Sequence, residues 1–240
     1  MNLDDKMPPP LPDLNLVFIE GDTFRMGTPA RDERPDHDVT VPSFYLAKYP
    51  VTQRLWQAVM GENPSYFQGG SRPVETVSWE DAQAFIEKLN AHPAAQAYLQ
   101  TLNPPGGKFR LPSEAEWEFA ARGGIDSNGY KYAGSNKLKE VGWYHENRHG
   151  ETKPVGLKFP NELGLYDMSG NVREWCEDVW HENYEGAPDD GSAWVKGGEQ
   201  NFRVVRGGFL FFFDYLCRVS SRYYADADVR NYELGFRLAR

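Results

Sequence analysis

Several features that would assign a function quickly are scarce in this chain. Only two cysteines, Cys176 and Cys217, occur in 240 residues. That excludes a disulfide framework and a four-thiolate zinc site. Both thiols are expected to be buried, as free cysteines usually are; a single bridge stays open, because sequence does not show the geometry it needs. No apolar run is long enough to span a bilayer. The first residues, MNLDDK followed by Met7 and prolines at 8–10 and 12, lack the basic start and apolar stretch of a secretory signal. A cytoplasmic location is the resulting expectation. Positive charge is also short: Lys and Arg total 26 against 35 Asp and Glu, a net charge of −9. With no basic stripe, nucleic acid is excluded as a partner and docking on anionic membranes is disfavoured. No internal repeat and no linker divides the sequence.

What is present reads as one α+β domain with much irregular structure. Residues 1–15 are polar and proline-rich and read as a disordered or loosely packed tail. VFIEGDTFRM (17–26) reads as two short strands around a turn at Gly21-Asp22, and Phe44–Val51 as another strand. Residues 29–38 read as a charged surface loop. Thr52 caps a short helix in which Leu55, Trp56, Val59 and Met60 share a face. Ser78 opens a second helix with Asp81 in its first turn, and the capping box from Ser113 to Glu116 opens a third, ended by Gly123-Gly124. Residues 91–108 and 182–200 read as loop insertions.

Three stretches draw chemical readings. HENRH (145–149) matches the two-histidine zinc-protease pattern, but Gly142 and Gly150 flank it and no apolar helical face surrounds it. The zinc reading needs a helix; an exposed polar loop is the better account. GLYDMSGNVREW (164–175) brackets a glycine-rich turn with Asp167 and Glu174. Those carboxylates, with the carbonyls of Gly170 and Val172, offer oxygen ligands to calcium. A tight turn whose polar side chains satisfy backbone amides is the plainer account of the same residues. Residues 209–216 (FLFFFDYL) hold five aromatics in eight positions without alternation. Such a run is either a strand buried on both faces or a display of outward rings. Each ring carries roughly 150–250 Å², and a soluble monomer seldom exposes more than a few hundred Å² of contiguous apolar surface outside a binding site. Nearby, Arg218 and Arg222 are expected to brace loops by pairing with interior carboxylates rather than to line a site.

Taken together, FRMGT (24–28), YPVT (49–52), PVETVSW (73–79), RLPSEAEWEFAAR (110–122), the 164–175 block, RVVRGG (203–208) and GFR (235–237) occur in an order that resembles the formylglycine-generating-enzyme, or sulfatase-modifying-factor, family. The resemblance runs from about residue 16 to 240 and implies one domain of C-type-lectin-like fold. That fold has two main helices, short antiparallel strands and much irregular loop. In the catalytic members two cysteines after the Arg-Gly-Gly turn bind copper. Here the first of those positions is Phe212 and the second is Cys217. One thiolate is missing, and a soft metal such as Cu(I) wants both. The copper oxidase therefore stands as the alternative reading, and the non-catalytic reading set out next requires no cofactor.

The segment 206–238 is most similar to variable proteins of diversity-generating retroelements. There an Arg-Gly-Gly, a randomised run, Cys-Arg, a fixed Arg, further randomised runs and Gly-Phe-Arg-Leu follow in order. The resemblance implies a non-catalytic binding protein with a variable, aromatic-rich ligand surface. Its candidate residues are Phe209, Phe211, Phe212, Phe213, Tyr215, Leu216, Tyr223, Tyr224, Asp226 and Tyr232, with Asp228 as a further polar handle and Glu233 as a fixed residue. Aromatic anchors of this kind supply contact area at low entropic cost, as in antibody paratopes. The expected ligand is a protein. In the catalytic relatives the turn equivalent to Asp167, Gly170, Val172 and Glu174 holds a structural calcium; Asp167 stands where Asn is usual, which keeps an oxygen ligand.

Overall fold

A computed structural model describes residues 10–30 and 32–240. Strand β1 (Leu16–Ile19) pairs antiparallel with β4 (Phe44–Ala47), and β2 (Asp22–Met26) with β3 (His37–Val41). A larger sheet joins β5 (Arg173–Trp180), β6 (Glu199–Arg206), β7 (Arg222–Asp226) and β8 (Leu234–Gly235) in the order β7-β6-β5-β8. Its first three strands run antiparallel and β8 lies parallel to β5. The last residues close the domain by lying against β4: Ala47 N–H donates to Leu238 C=O (2.7 Å), and Leu46 pairs with Ala239.

Helices α1 (Gln53–Met60), α2 (Trp79–Ala91) and α4 (Glu114–Ala121) start where their caps are written. The Ser78 hydroxyl accepts from Asp81 N–H and the Asp81 carboxylate accepts from Ser78 N–H, each at 3.0 Å. Ser113 and Glu116 make the same reciprocal pair at 3.0 and 2.8 Å. These bonds satisfy amides that a helix start leaves without partners. A short α5 (Leu138–Val141) follows. Two core clusters result. One centres on Trp56 stacked on Phe85 (5.1 Å), with Phe236 against both edge-on; the other centres on Trp117, Phe119 and Val204.

Residues 91–108 are not the loop expected from composition. Pro93–Gln100 form helix α3, capped by His92, whose ring nitrogen accepts from Ala94 N–H (3.2 Å). Proline at the first helical position is already set for the helical φ, and Ala95 and Leu99 supply a buried face. The expected 44–51 strand stops at Ala47, and the expected loop at 29–38 runs into β3 at His37. Within the stretch read as a loose tail, residues 1–9 lie outside the described residues. In the remainder Leu11 and Leu14 rest on the first core cluster, and Asp13 is ion-paired to Arg54. Among the described residues no helix is long and apolar enough to cross a membrane.

All eight residues of α4 are buried, including Glu114, Glu116 and Glu118. Interior carboxylates are costly unless paired, and the C-terminal third of the chain supplies two of the arginines that pair with them. That arrangement positions the candidate site.

Candidate functional site

Arg206, at the end of β6, is fully buried and ion-pairs with Glu118 and Glu114. Arg222, at the start of β7, binds Glu114 through Nε (2.7 Å) and Nη2 (2.8 Å). Arg218 holds Glu33 (2.6 Å), and Arg237 grips Glu174 (2.6 and 2.7 Å). Arg230 bonds Asp81, the capping residue of α2, at 2.6 and 2.8 Å. Arg218 and Arg222 thus take the bracing role expected of them. The segment from 206 to 238 is pinned at five arginines to carboxylates elsewhere in the chain, and some of the residues between the pins face outward.

Gly207 and Gly208 turn the chain out of β6 with φ of 94° and 74°. A Cβ at Gly208 would lie 2.6 Å from Cys217 Sγ, so glycine is required there. The aromatic run that follows is no strand. It passes through turns into a short 3₁₀ segment, Asp214–Cys217. Phe209 and Leu210 point inward, Phe211 and Phe212 are half-buried, and Phe213 and Tyr215 are exposed. Phe209 is only 1% exposed and therefore drops out of the candidate surface. It forms the floor under Phe211 (5.3 Å), Phe212 (6.0 Å) and Tyr232 (5.9 Å).

The other candidates fall into three groups. Phe211 packs near Tyr232 (6.3 Å) and Phe212 near Tyr223 (5.6 Å), giving one continuous aromatic face. Phe213 and Tyr215 stack in parallel beside it (6.3 Å), and the backbone of half-buried Leu216 accepts the Tyr223 hydroxyl. Tyr224 and Asp226 do not join this face. Successive strand residues point to opposite sides of a sheet, so on β7 they face away from Tyr223. Tyr224 packs on Trp180 (4.8 Å) and Phe202 (5.0 Å), and Asp226 and Asp228 line a separate polar hollow with Trp79 and Arg203. Glu233, expected to be fixed, ion-pairs with Arg173.

Sequence reasoning missed the residues that complete the face from outside the segment. Tyr66 and Phe67 lie against Tyr232, both at 5.8 Å, and Tyr66 is 70% exposed. His145 stacks on Phe213 (4.7 Å), and the Arg148 guanidinium lies over Phe211 (4.6 Å). Arg173 sits beside Phe212 (5.1 Å). Nothing local in the sequence joins positions 66, 145 and 232. HENRH forms turns rather than a helix, as its glycine flanks suggested.

The residues at the family's two copper positions offer no thiolate pair, and the carboxylates of the calcium reading already meet donors of the protein itself. Phe212 packs on the small cluster that contains Cys217. Burial pushes the Cys217 thiol up to about 12, so no thiolate is available at neutral pH. In the 164–175 turn both carboxylates are engaged by donors of the protein itself. Both oxygens of Glu174 are taken, by Arg237 and by the Trp117 indole N–H (2.7 Å), so this carboxylate already has its cation. Burial raises Asp167 to about 6, and its oxygens accept from Gly156 N–H (2.8 Å) and the Asn171 amide. Gly170 N–H donates to Gly207 C=O, and Gly170 has no room for a Cβ because the Trp143 carbonyl occupies it. Among the described residues no group of three or more acidic, histidine or cysteine side chains could hold a metal.

Comparison with known proteins places this architecture. The sulfatase-modifying factor enzyme 1-like domain family matches residues 6–240. The chain is 39% identical to the chaperone protein LppX of Paenibacillus barcinonensis, over 77% of this chain and 78% of that protein. It is 32% identical to the formylglycine-generating enzyme of Thermomonospora curvata, over 85% of this chain and 67% of that one. Against the serine/threonine-protein kinase Pkn1 of Chlamydia trachomatis it is 33% identical over 94% of its length, but spans 38% of that protein. Among solved structures, Treponema denticola variable protein 1 superposes with a TM-score of 0.79 at 34% identity, covering 93% of this chain and 94% of the other. The chain belongs to the sulfatase-modifying factor enzyme 1-like family and has the C-type-lectin-like α+β fold that its motifs imply.

Proposed function

We propose that this protein is a non-catalytic binding module whose C-terminal segment is diversified by a retroelement and presents a variable aromatic surface to a protein ligand. The single observation that carries the reading is the division within residues 206–238. The arginine anchors are tied to the scaffold, while Phe211, Phe212, Phe213, Tyr215, Tyr223 and Tyr232 lie between them at or near the surface. A surface that must change without unfolding its frame needs this separation. The likeness to Treponema denticola variable protein 1 supports it. Aromatic side chains beside guanidinium groups are the composition of binding hot spots.

Display of a library randomised at 211, 212, 213, 215, 223 and 232 tests this reading, with hen lysozyme as an arbitrary target. Most variants should fold, and selected binders should lose affinity when those positions revert. General unfolding of the library, or binders that are indifferent to these positions, would refute the proposal.

The second reading is an oxidase of the formylglycine-generating type, favoured by the enzyme relatives. It needs a thiolate pair that Phe212 interrupts. Stoichiometric Cu(I) binding that is lost in Cys217→Ser, together with thiol-dependent oxygen uptake, would establish it instead.

A further inference from the structure

A shallow hollow of about 640 Å³ lies outside the 206–238 segment, between residues 156–160 and helix α5. Its walls include Leu157, Lys158, Phe159, Pro160 and Tyr166. Leu157 is 60% exposed and Phe159 71%, two large apolar side chains within three residues. The backbone that carries them is held in place. Val155 N–H donates to Ser71 C=O (2.9 Å), Gly156 N–H to the Asp167 carboxylate (2.8 Å) and Phe159 N–H to Glu140 C=O (3.0 Å). Exposure of Leu157 and Phe159 is therefore a fixed feature of the fold. Contiguous apolar surface held outward in this way is where a partner gains most by docking.

The charge around the hollow says what would cover it. Among the described residues, the lysines in ion pairs are Lys131, Lys137 and Lys153. Lys139 and Lys158 line the hollow and Lys48 lies against its Tyr166 wall; among the described residues none of the three has a carboxylate within ion-pairing distance. Lys158 Nζ lies over the Trp143 ring (4.2 Å) and donates to Lys139 C=O (2.6 Å). Burial lowers the affinity of Lys158 for its proton, a deficit that a carboxylate would make good. Lys48 Nζ sits over Tyr49 and Tyr166 at 5.6 and 5.4 Å. Glu140, the one acidic lining residue, is already engaged by Ser135 (2.7 Å) and Lys137 (3.6 Å). On a protein of net charge −9 this is a local excess of unpaired cations around an apolar depression.

We propose that this hollow is a second docking site, which accepts an extended protein segment bearing an aromatic side chain flanked by carboxylates. The aromatic ring would enter between Leu157, Phe159 and Tyr166, and the carboxylates would reach Lys139 and Lys158. The concave shape favours an inserted side chain over a flat lipid surface. The site shares no lining residue with the 206–238 segment and does not depend on the function proposed for it.

The test is an amide NMR titration of the intact chain with two blocked pentapeptides, acetyl-EEFEE-amide and acetyl-QQFQQ-amide, at low ionic strength. The acidic peptide should shift the amides of 156–159 and Tyr166 saturably, and bind at least tenfold more tightly than the neutral one. K139Q, at an exposed side chain, should weaken the acidic peptide severalfold and leave the rest of the spectrum unchanged. F159S should abolish binding of both. Added salt should weaken only the acidic peptide, because exposed charges are screened. Equal binding of the two peptides, no saturable shift with millimolar acidic peptide, or shifts confined to 211–232 would overturn the proposal.

Discussion

Replacing Glu118 by Gln should test whether buried ion pairs hold the binding segment to its scaffold. Glu118 is fully buried. One carboxylate oxygen accepts from Gly27 N–H (2.9 Å) and from Arg122 Nε and Nη2 (2.8 and 2.7 Å); the other accepts from Arg206. Burial by itself would raise this carboxyl, yet the charges of Arg206 and Arg122 and the bond from Gly27 hold it below the ordinary glutamate value. A group whose pKa is depressed by folding adds stability above its unfolded pKa and loses it as the pH falls through the folded one. At pH 7 the full contribution is present. Glutamine keeps the shape but removes the charge, and turns an NH2 group toward one of the two guanidinium groups, which also only donates. Breaking a buried pair costs about 3–5 kcal/mol. For a domain of this size each kcal/mol lowers Tm by roughly 2–4 °C, so a fall of about 6–20 °C is expected. Calorimetry at pH 7 reads it directly. The wild type should lose this advantage progressively as the pH falls from the ordinary glutamate value of about 4.5 through the lower folded value of Glu118, and the two melting curves should converge only below that folded value. A fall under about 2 °C at pH 7 would refute the reasoning, since Glu114 would then suffice to neutralise Arg206.

Three other outcomes follow from the same structure. Phe213→Ser, Tyr215→Ser and Tyr232→Ser should each change urea stability by less than about 1 kcal/mol, whereas Phe209→Ala should cost about 3–5 kcal/mol through loss of a buried ring; similar costs at all four would contradict the division of surface and core. Burial, reinforced by the charge of Glu114, raises Asp178 to about 7. Its share of stability is therefore full below about pH 4 and lost as the pH climbs to 7, by at most roughly 4 kcal/mol. Thermal melts from pH 5 to 8 should show this decline, and Asp178→Asn should flatten it. Both thiols are buried and unpaired, with their pKa values raised by burial. Native protein at pH 8 should resist iodoacetamide and label twice only after unfolding in guanidinium; rapid native labelling of Cys217 would reopen the oxidase reading.

Much of the framework was legible because its causes are local. The caps at Thr52, Ser78 and Ser113 act within three residues, and helices begin after each of them. Helix α3 escaped because its cap is a histidine, outside the usual capping set, and its buried face is mostly alanine. The residues that form the site were partly legible through their resemblance to a family with an ordered pattern of arginines. The pattern separated anchors from display positions, but it treated the display positions as one surface. It did not show Phe209 turned inward, or Tyr224 and Asp226 carried to the far side of β7.

Composition and motif order by themselves determined the α+β class, the absence of a disulfide framework and the missing copper thiolate at Phe212, since each depends on which residue is present. The tertiary structure alone decided which rings share a face. It also brought Tyr66, His145 and Arg148 to the 206–238 segment and paired Glu174 with Arg237. These outcomes depend on contacts between positions tens to more than a hundred residues apart, whose geometry exists only after the sheet and α4 have packed together.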